Sequence, residues 1–184
     1  MQPGPDSPEA TAALAFAVQE VERHVAAAGW DGPVRVFALV RTSVALAAEP
    51  SLADQMTPDV LEAARTTPWH LTSVEQEGLP QAEDLEELLA GLGWPDTVDG
   101  VVVTVERIVL PTAAEDAMPA DPDEALSYLM GHPDRSDVRL AVGVLRGGGS
   151  WCAARTRAFD ADDQVAQGPT MVPGLVDAVR ATLQ

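Results

Sequence analysis

Apolar positions recur along the chain in two alternating rhythms. From Ser7, a plausible helix cap followed by Pro8, Leu14, Ala17, Val18, Val21 and Val25 return at helical spacing until Gly29. This predicts an N-terminal surface helix with Glu20, Glu22 and Arg23 on its solvent side. The run Val34–Arg41 is continuous and β-branched, as in a buried strand. An Ala-rich helical connector follows, broken at Pro50 and restarted at Ser51, and then a weaker strand, 72–76, closed by Gly78 and Pro80. Residues 84–92 place Leu85, Leu88, Leu89 and Leu92 on one helical stripe. Val101–Leu110 is the clearest strand: Val101, Val103, Val105, Arg107 and Val109 face one way, and Val102, Thr104, Glu106, Ile108 and Leu110 the other.

A Pro/Ala/Asp-rich loop, 111–121, leads to a short helix, 122–130. Val138–Arg146, the turn 147–150 and Trp151–Phe159 then form a β-hairpin pattern. The acidic turn at Asp160–Asp163 opens onto one further short strand, and Thr170 caps a terminal helix with Val172, Leu175, Val176, Val179 and Leu183 on its stripe. The order is α-β-β-α-β-α-β-β-α. It predicts an α+β protein: one mostly antiparallel sheet flanked by the N-terminal and C-terminal helices. Residues 1–6 read as a disordered tail and 7–184 as a single domain.

Charge narrows the partners. The chain carries 29 Asp+Glu against 11 Lys+Arg, a formal net charge of -18. Polyanions are held by clustered cations that release counterions, so nucleic acid and anionic membrane are disfavoured. The N-terminus lacks the basic region of a signal peptide, and the apolar runs fall short of the ~18 residues a membrane helix needs. One cysteine, Cys152, excludes a disulfide framework within the chain and is expected as a small buried hydrophobe. These features place the protein in the cytoplasm. Every basic residue is arginine, and Lys and Asn are absent, which reflects GC-rich codons rather than a demand for guanidinium chemistry. Only arginine placement is informative.

Placement depends on the hairpin register. An even turn, with Arg146 opposite Trp151, would mix Val142 with Arg155 and Leu140 with Arg157. A three-residue turn pairs Val144, Val142, Leu140 and Val138 with Cys152, Ala154, Thr156 and Ala158, which keeps one face apolar. This cleaner register gathers Arg139, Arg155 and Arg157 on the open face, with Glu106 on the adjacent strand. The plainer account is a solvated Arg/Glu ladder; the sharper one is a carboxylate or phosphate site with Glu106 as acid/base.

Other motifs carry less. His24, His70 and His132 lack metal-ligand spacing, and His24 is expected to pair with Glu20 one turn earlier. The Asp160–Asp163 run lacks both the glycine and the twelfth-position acid of a calcium loop. Neither a Gly-x-Ser-x-Gly elbow nor a phosphate loop occurs, so no catalytic residue, metal or cofactor is assigned. Trp30, Trp69 and Trp94 sit at element junctions, as core plugs or as the lining of a recognition groove.

Several segments resemble a family of small acidic actinobacterial proteins of unassigned activity. They are Gly29-Trp30, Pro33–Val40, Trp94–Asp96, Thr104–Arg107, Leu110-Pro111, His132–Arg135, Asp137–Arg139, Val144–Arg146 and Val172–Val176. The resemblance spans nearly the whole chain and implies a bacterial cytoplasmic protein. The element order is also loosely similar to type III secretion chaperone-like domains, which dimerise and hold partner chains. The expected function is a non-enzymatic protein-interaction or regulatory module, compatible with a homodimer. The alternative is a small anionic-ligand binder, or an enzyme, built on the arginines.

Overall fold

The computed structural model describes residues 3–184. Six strands form one antiparallel sheet in the order β2-β1-β3-β4-β5-β6, the α+β architecture expected. They are β1 (Arg35–Arg41), β2 (Leu71–Glu75), β3 (Gly100–Val109), β4 (Ser136–Leu145), β5 (Ser150–Thr156) and β6 (Ala166–Gly168). The helices are α1 (Pro8–Ala27), α2 (Thr42–Ala48), α3 (Pro58–Thr66), α4 (Leu85–Ala90), α5 (Thr112–Asp116), α6 (Pro122–Gly131) and α7 (Pro173–Ala181). None of the described helices is long and apolar enough to cross a membrane.

The two rhythms of the sequence become two cores. Ser7 caps α1, its hydroxyl accepting from Ala10 N at 3.1 Å, and Leu14, Ala17, Val18, Val21 and Val25 pack on Phe37, Leu39, Val102, Ala141 and Ala153. On the other side, Val101, Val103, Val142, Val144 and Cys152 pack against Leu89 of α4 and Val176, Val179 and Leu183 at the C-terminal helix. The alternation along β3 and β4 is thus buried on both faces, where the sequence had left one face open. Gly143 makes the α1 side possible. A Cβ there would come within 3.0 Å of Leu14 Cδ1 and collide with Val18, so the missing side chain lets the helix approach the sheet.

Several local expectations are revised. Residues 112–116 of the expected loop form α5. β5 stops at Thr156 because Arg157–Phe159 curls into a 3-10 turn, and α7 begins at Pro173 after Val172 rather than at Thr170. The hairpin does close with a three-residue turn, Arg146–Gly148, bonded by Leu145 N to Gly149 O and Gly148 N to Leu145 O, both at 3.0 Å. Gly147 supplies its positive φ of 63°. The turn lies one residue earlier than expected, so Val142 pairs with Cys152 and Arg139 with Arg155. A two-residue slip keeps every side chain on its expected face.

The part of the expected loose tail formed by Met1 and Gln2 lies outside the described residues. From Pro3 onward the segment has contacts: Trp69 Nε1 donates to Pro3 O at 2.8 Å, and Ser7 N donates to Gly4 O at 3.0 Å.

Candidate functional site

The strand register brings Arg139, Arg155, Arg157 and Glu106 together. Glu106 on β3 stands opposite Arg139 on β4, which stands opposite Arg155 on β5, and Arg157 follows in the 3-10 turn. Contrary to expectation they do not share an open face. That face is covered by α1, leaving Arg139 only 1% exposed and Arg155 2%.

Each guanidinium is held by the protein's own carboxylates. Arg155 donates to both oxygens of Glu22 at 2.5 and 2.9 Å, to Asp160 at 3.1 Å and to Asp162 at 2.6 Å. Three acids so close hold it protonated, its pKa raised above the ordinary arginine value chiefly by the Glu22 bonds. Arg157 grips Asp31 with two bonds of 2.9 Å and lies 3.7 Å from Asp137. Arg139 donates through Nη2 to Glu106 Oε1 at 3.0 Å and to the Gly29 carbonyl.

Trp30 ties the cluster to the end of α1. Gly29 ends the helix with φ 88°, and Asp31 follows with φ 65°. This turn sets the Trp30 ring against Arg139, 4.3 Å from the guanidinium carbon, and 5.7 Å from that of Arg157. Its indole N–H donates to Asp160 Oδ2 at 2.9 Å, while Asp31 N donates to Glu106 Oε2 at 2.8 Å. Below lies a cavity of about 60 Å³, lined in part by Thr104 and Arg139. Arg139 Nε and Nη1 and Thr104 Oγ1 are buried there without protein partners.

Sequence reasoning did not assign Glu22, Asp31, Asp160 and Asp162, the acids that complete this cluster, as partners of the arginines. Glu22 is the instructive one. The solvent face expected for it is wrong: it is 2% exposed, because helical rotation sets it beside Val18 and Val25 on the buried stripe. An acid on an apolar stripe was the legible signal that a buried cation faces it.

The tryptophans do not share a groove. Trp69 belongs to the α1-side core and Trp94 to the α7-side core, where its indole donates to Thr182 Oγ1 at 3.1 Å; the sheet separates them. His24 contacts Arg35 Nη2 at 3.1 Å and Glu75 at 3.8 Å, not Glu20, because the turn after α1 brings β1 beside it. His70 Nδ1 meets Thr42 Oγ1 at 2.8 Å, and His132 Nδ1 accepts from Asp134 N at 3.1 Å. Among the described residues no group of three or more His, Cys, Asp or Glu could hold a metal. Cys152 is buried, and burial pushes its thiol pKa up, away from nucleophilic use.

The cluster has an acid signature. The Trp30 and Arg155 bonds hold Asp160 below the ordinary carboxylate range, as Arg157 does Asp31 and Arg35 does Glu75. A lowered native pKa means that the unfolded chain binds more protons in the interval between the two values. The stabilisation is therefore complete above the unfolded value, near pH 4, and disappears as pH falls through the native one. The urea midpoints of wild type and Asp160→Asn should differ by a constant amount above about pH 5 and draw together as the pH falls below about 4. A gap that does not narrow in acid would contradict the assignment.

Two further surfaces stand outside this cluster. One is an apolar groove of about 520 Å³ between α4, α7 and the sheet. The other is the lobe formed by α5 and α6. It buries only Ala114 of its helices and is pinned by Tyr128, whose hydroxyl donates to the Ala114 carbonyl at 3.0 Å.

No curated protein and no solved structure matches the chain. The family model of the PPA1309-like protein matches residues 14–184, from the first helix to the last described residue, and so takes in both cores, the arginine cluster, the groove and the lobe. The chain therefore belongs to the PPA1309-like protein family.

Proposed function

We propose that the protein is a non-catalytic interaction module that takes up a cationic, amphipathic segment of a partner protein on the outer face of the α5–α6 lobe. One observation carries this reading. α6 buries no side chain, yet Leu126, 59% exposed, and Met130, 51% exposed, stand one turn apart on its surface. Met118, just before α6, is also exposed. Residues 112–131 contain Glu115, Asp116, Asp121, Asp123 and Glu124 and no Lys, Arg or His. An apolar face carrying methionine, on a lobe rich in acids, suits a helix with leucines on one side and lysines or arginines on the other, although Arg135 donates to the Met130 carbonyl and lies 3.7 Å from its Sδ. Two copies of so acidic a lobe repel, so a homodimer would need another face.

The anionic-ligand alternative is weaker. A ligand at Arg155 and Arg157 would have to displace Glu22, Asp160, Asp162 and Asp31 from bonds already made, and the unpartnered Nε and Nη1 of Arg139 face a cavity of only about 60 Å³. The protein is read as bacterial, actinobacterial and cytoplasmic on its arginine-only basic set, its single cysteine and the resemblance of its motifs.

The test is fluorescence anisotropy with a labelled Lys/Leu amphipathic peptide, comparing wild type with Leu126→Glu/Met130→Glu. Docking predicts at least about tenfold weaker binding to the variant, the expected loss of two buried apolar contacts. Mere charge attraction predicts the opposite, since the variant is more acidic. Equal or tighter binding by the variant would overturn the proposal.

A further inference from the structure

The sheet outruns the helices on its α7 side. β3 and β4 are 10 residues each, whereas α7 has 9 and α4 has 6. At this end Val105, Val138 and Leu140 lie beneath a thin cover of partly buried Leu85, Val172 and Leu175. Between cover and sheet runs the groove of about 520 Å³, within the ~300–1,000 Å³ range of small-molecule sites. Its walls are largely aliphatic, with Leu85 and Leu89 from α4, Leu140 from β4 and Leu175 and Ala178 from α7.

Arg107 of β3 lines this groove and also an adjoining hollow of about 210 Å³ that it shares with Met130, Arg135 and the carboxylates of Asp31, Glu106 and Asp137, which are held by other partners. In a chain with 29 acids to 11 bases, a guanidinium readily finds a carboxylate. Six of the eleven arginines, Arg35, Arg41, Arg65, Arg139, Arg155 and Arg157, have one, and Arg135, Arg146 and Arg180 donate to backbone carbonyls instead. The side chain of Arg107, like that of Arg23 on α1, makes no hydrogen bond or ion pair with any described residue, and Arg107 is the one of the two that lines this groove, although Glu86 lines it too from α4. An exposed cation left unmatched at the edge of an aliphatic hollow complements an anion that carries an apolar body.

We infer that this groove binds an amphipathic anion, an unbranched apolar chain ending in a carboxylate or phosphate, with the chain along Leu85, Leu89, Leu140 and Leu175 and the head on Arg107. Glu86 belongs to α4, so the head is drawn to the β3 end. The site adjoins the lobe surface proposed for a partner segment, since Arg107 and Met130 line one hollow, but its apolar walls belong to α4, β4 and α7 and its ligand is tested separately.

Isothermal titration with decanoate, monodecyl phosphate, decanol and hexanoate, each below its micelle concentration, tests the inference. At least one ten-carbon anion should bind, and comparison of the two identifies the head group. Decanol should bind at least about tenfold more weakly, reflecting the charge-assisted bonds to Arg107. Hexanoate should lose up to about fourfold per methylene removed. Arg107→Gln should erase the preference for the anion over decanol while the apolar chain still binds. Ala178→Trp, which fills the groove, should abolish binding of every ligand with the near-UV circular dichroism retained. Equal binding of decanol and both anions to wild type, undiminished binding to Ala178→Trp, or no binding by either anion up to its micelle concentration would each overturn the site.

Discussion

Glu22→Ala should lower the unfolding free energy by about 3–5 kcal/mol, the usual cost of removing one member of a buried ion pair. In a domain of this size the loss corresponds to a fall in melting temperature of roughly 6–20 °C. The reason is the charge left behind. Arg155 is enclosed by α1 and the sheet, and its remaining partners, Asp160 and Asp162, sit at the surface with side chains 45% and 66% exposed. Water weakens those two bonds, whereas the bonds to Glu22 are shielded from it. Arg155→Met should be at least as damaging, since the described hydrogen bonds of Glu22 are all to Arg155. The double replacement Glu22→Met/Arg155→Met should recover much of the loss, because two apolar side chains of similar volume need no ionic partner. Urea unfolding of wild type, Glu22→Met, Arg155→Met and the double variant closes the cycle and gives the coupling directly. A cost below about 1 kcal/mol for Glu22→Ala would mean that water reaches the pair and that α1 is not sealed over it.

The second large effect belongs to Gly143. Adding one methyl group there should destabilise by about 1–3 kcal/mol, the range for overpacking a close-fitting core. Glycine to alanine in a strand ordinarily helps, because it restricts the unfolded chain, so the sign of the result is itself diagnostic. The contact at fault is with Val18 and Leu14 on α1, and it suggests its own rescue. Val18→Ala alone should create a cavity; combined with Gly143→Ala it should leave room for the new methyl. The double variant should therefore be more stable than the two single losses sum to. Strict additivity would indicate that the helix shifts bodily instead.

Much of this architecture was legible because burial writes itself as periodicity. The α1 stripe, the alternation along β3 and the leucines of α4 mark the apolar sides of these elements, but that both faces of the sheet are covered was not legible from them. The odd hairpin turn could be chosen because the even one would have placed Arg155 and Arg157 among valines and leucines, and burial of unpaired charge is expensive. What could not be read was which glycine would turn first. Gly147, Gly148 and Gly149 are equivalent in sequence, so the pairing could slip by two residues without changing a single face. The arginine cluster was legible as a set of residues but not as an environment. Its acids come from α1, the turn after α1 and the segment after β5, and local sequence carries no record of contacts across such separations. Glu22 was the exception, an acid inside an apolar stripe, and it was misread because the neighbouring Glu20 and Arg23 are exposed. The lobe left a fainter trace: α6 has an ordinary helical signature, and only its place in the fold shows that its apolar residues have nothing to cover.

The distance in sequence between α1 and its support also has a consequence for synthesis. Glu22 is translated 133 residues before Arg155. At about 5–20 residues per second, the interval is roughly 7–27 s. Until β4 and β5 are made, the Leu14–Val18–Val21–Val25 stripe lacks part of the sheet that will shield it. A nascent chain in this condition is a natural client for a ribosome-associated holdase, and the acidic residues interspersed along α1 keep that waiting helix dispersed until β5 is made.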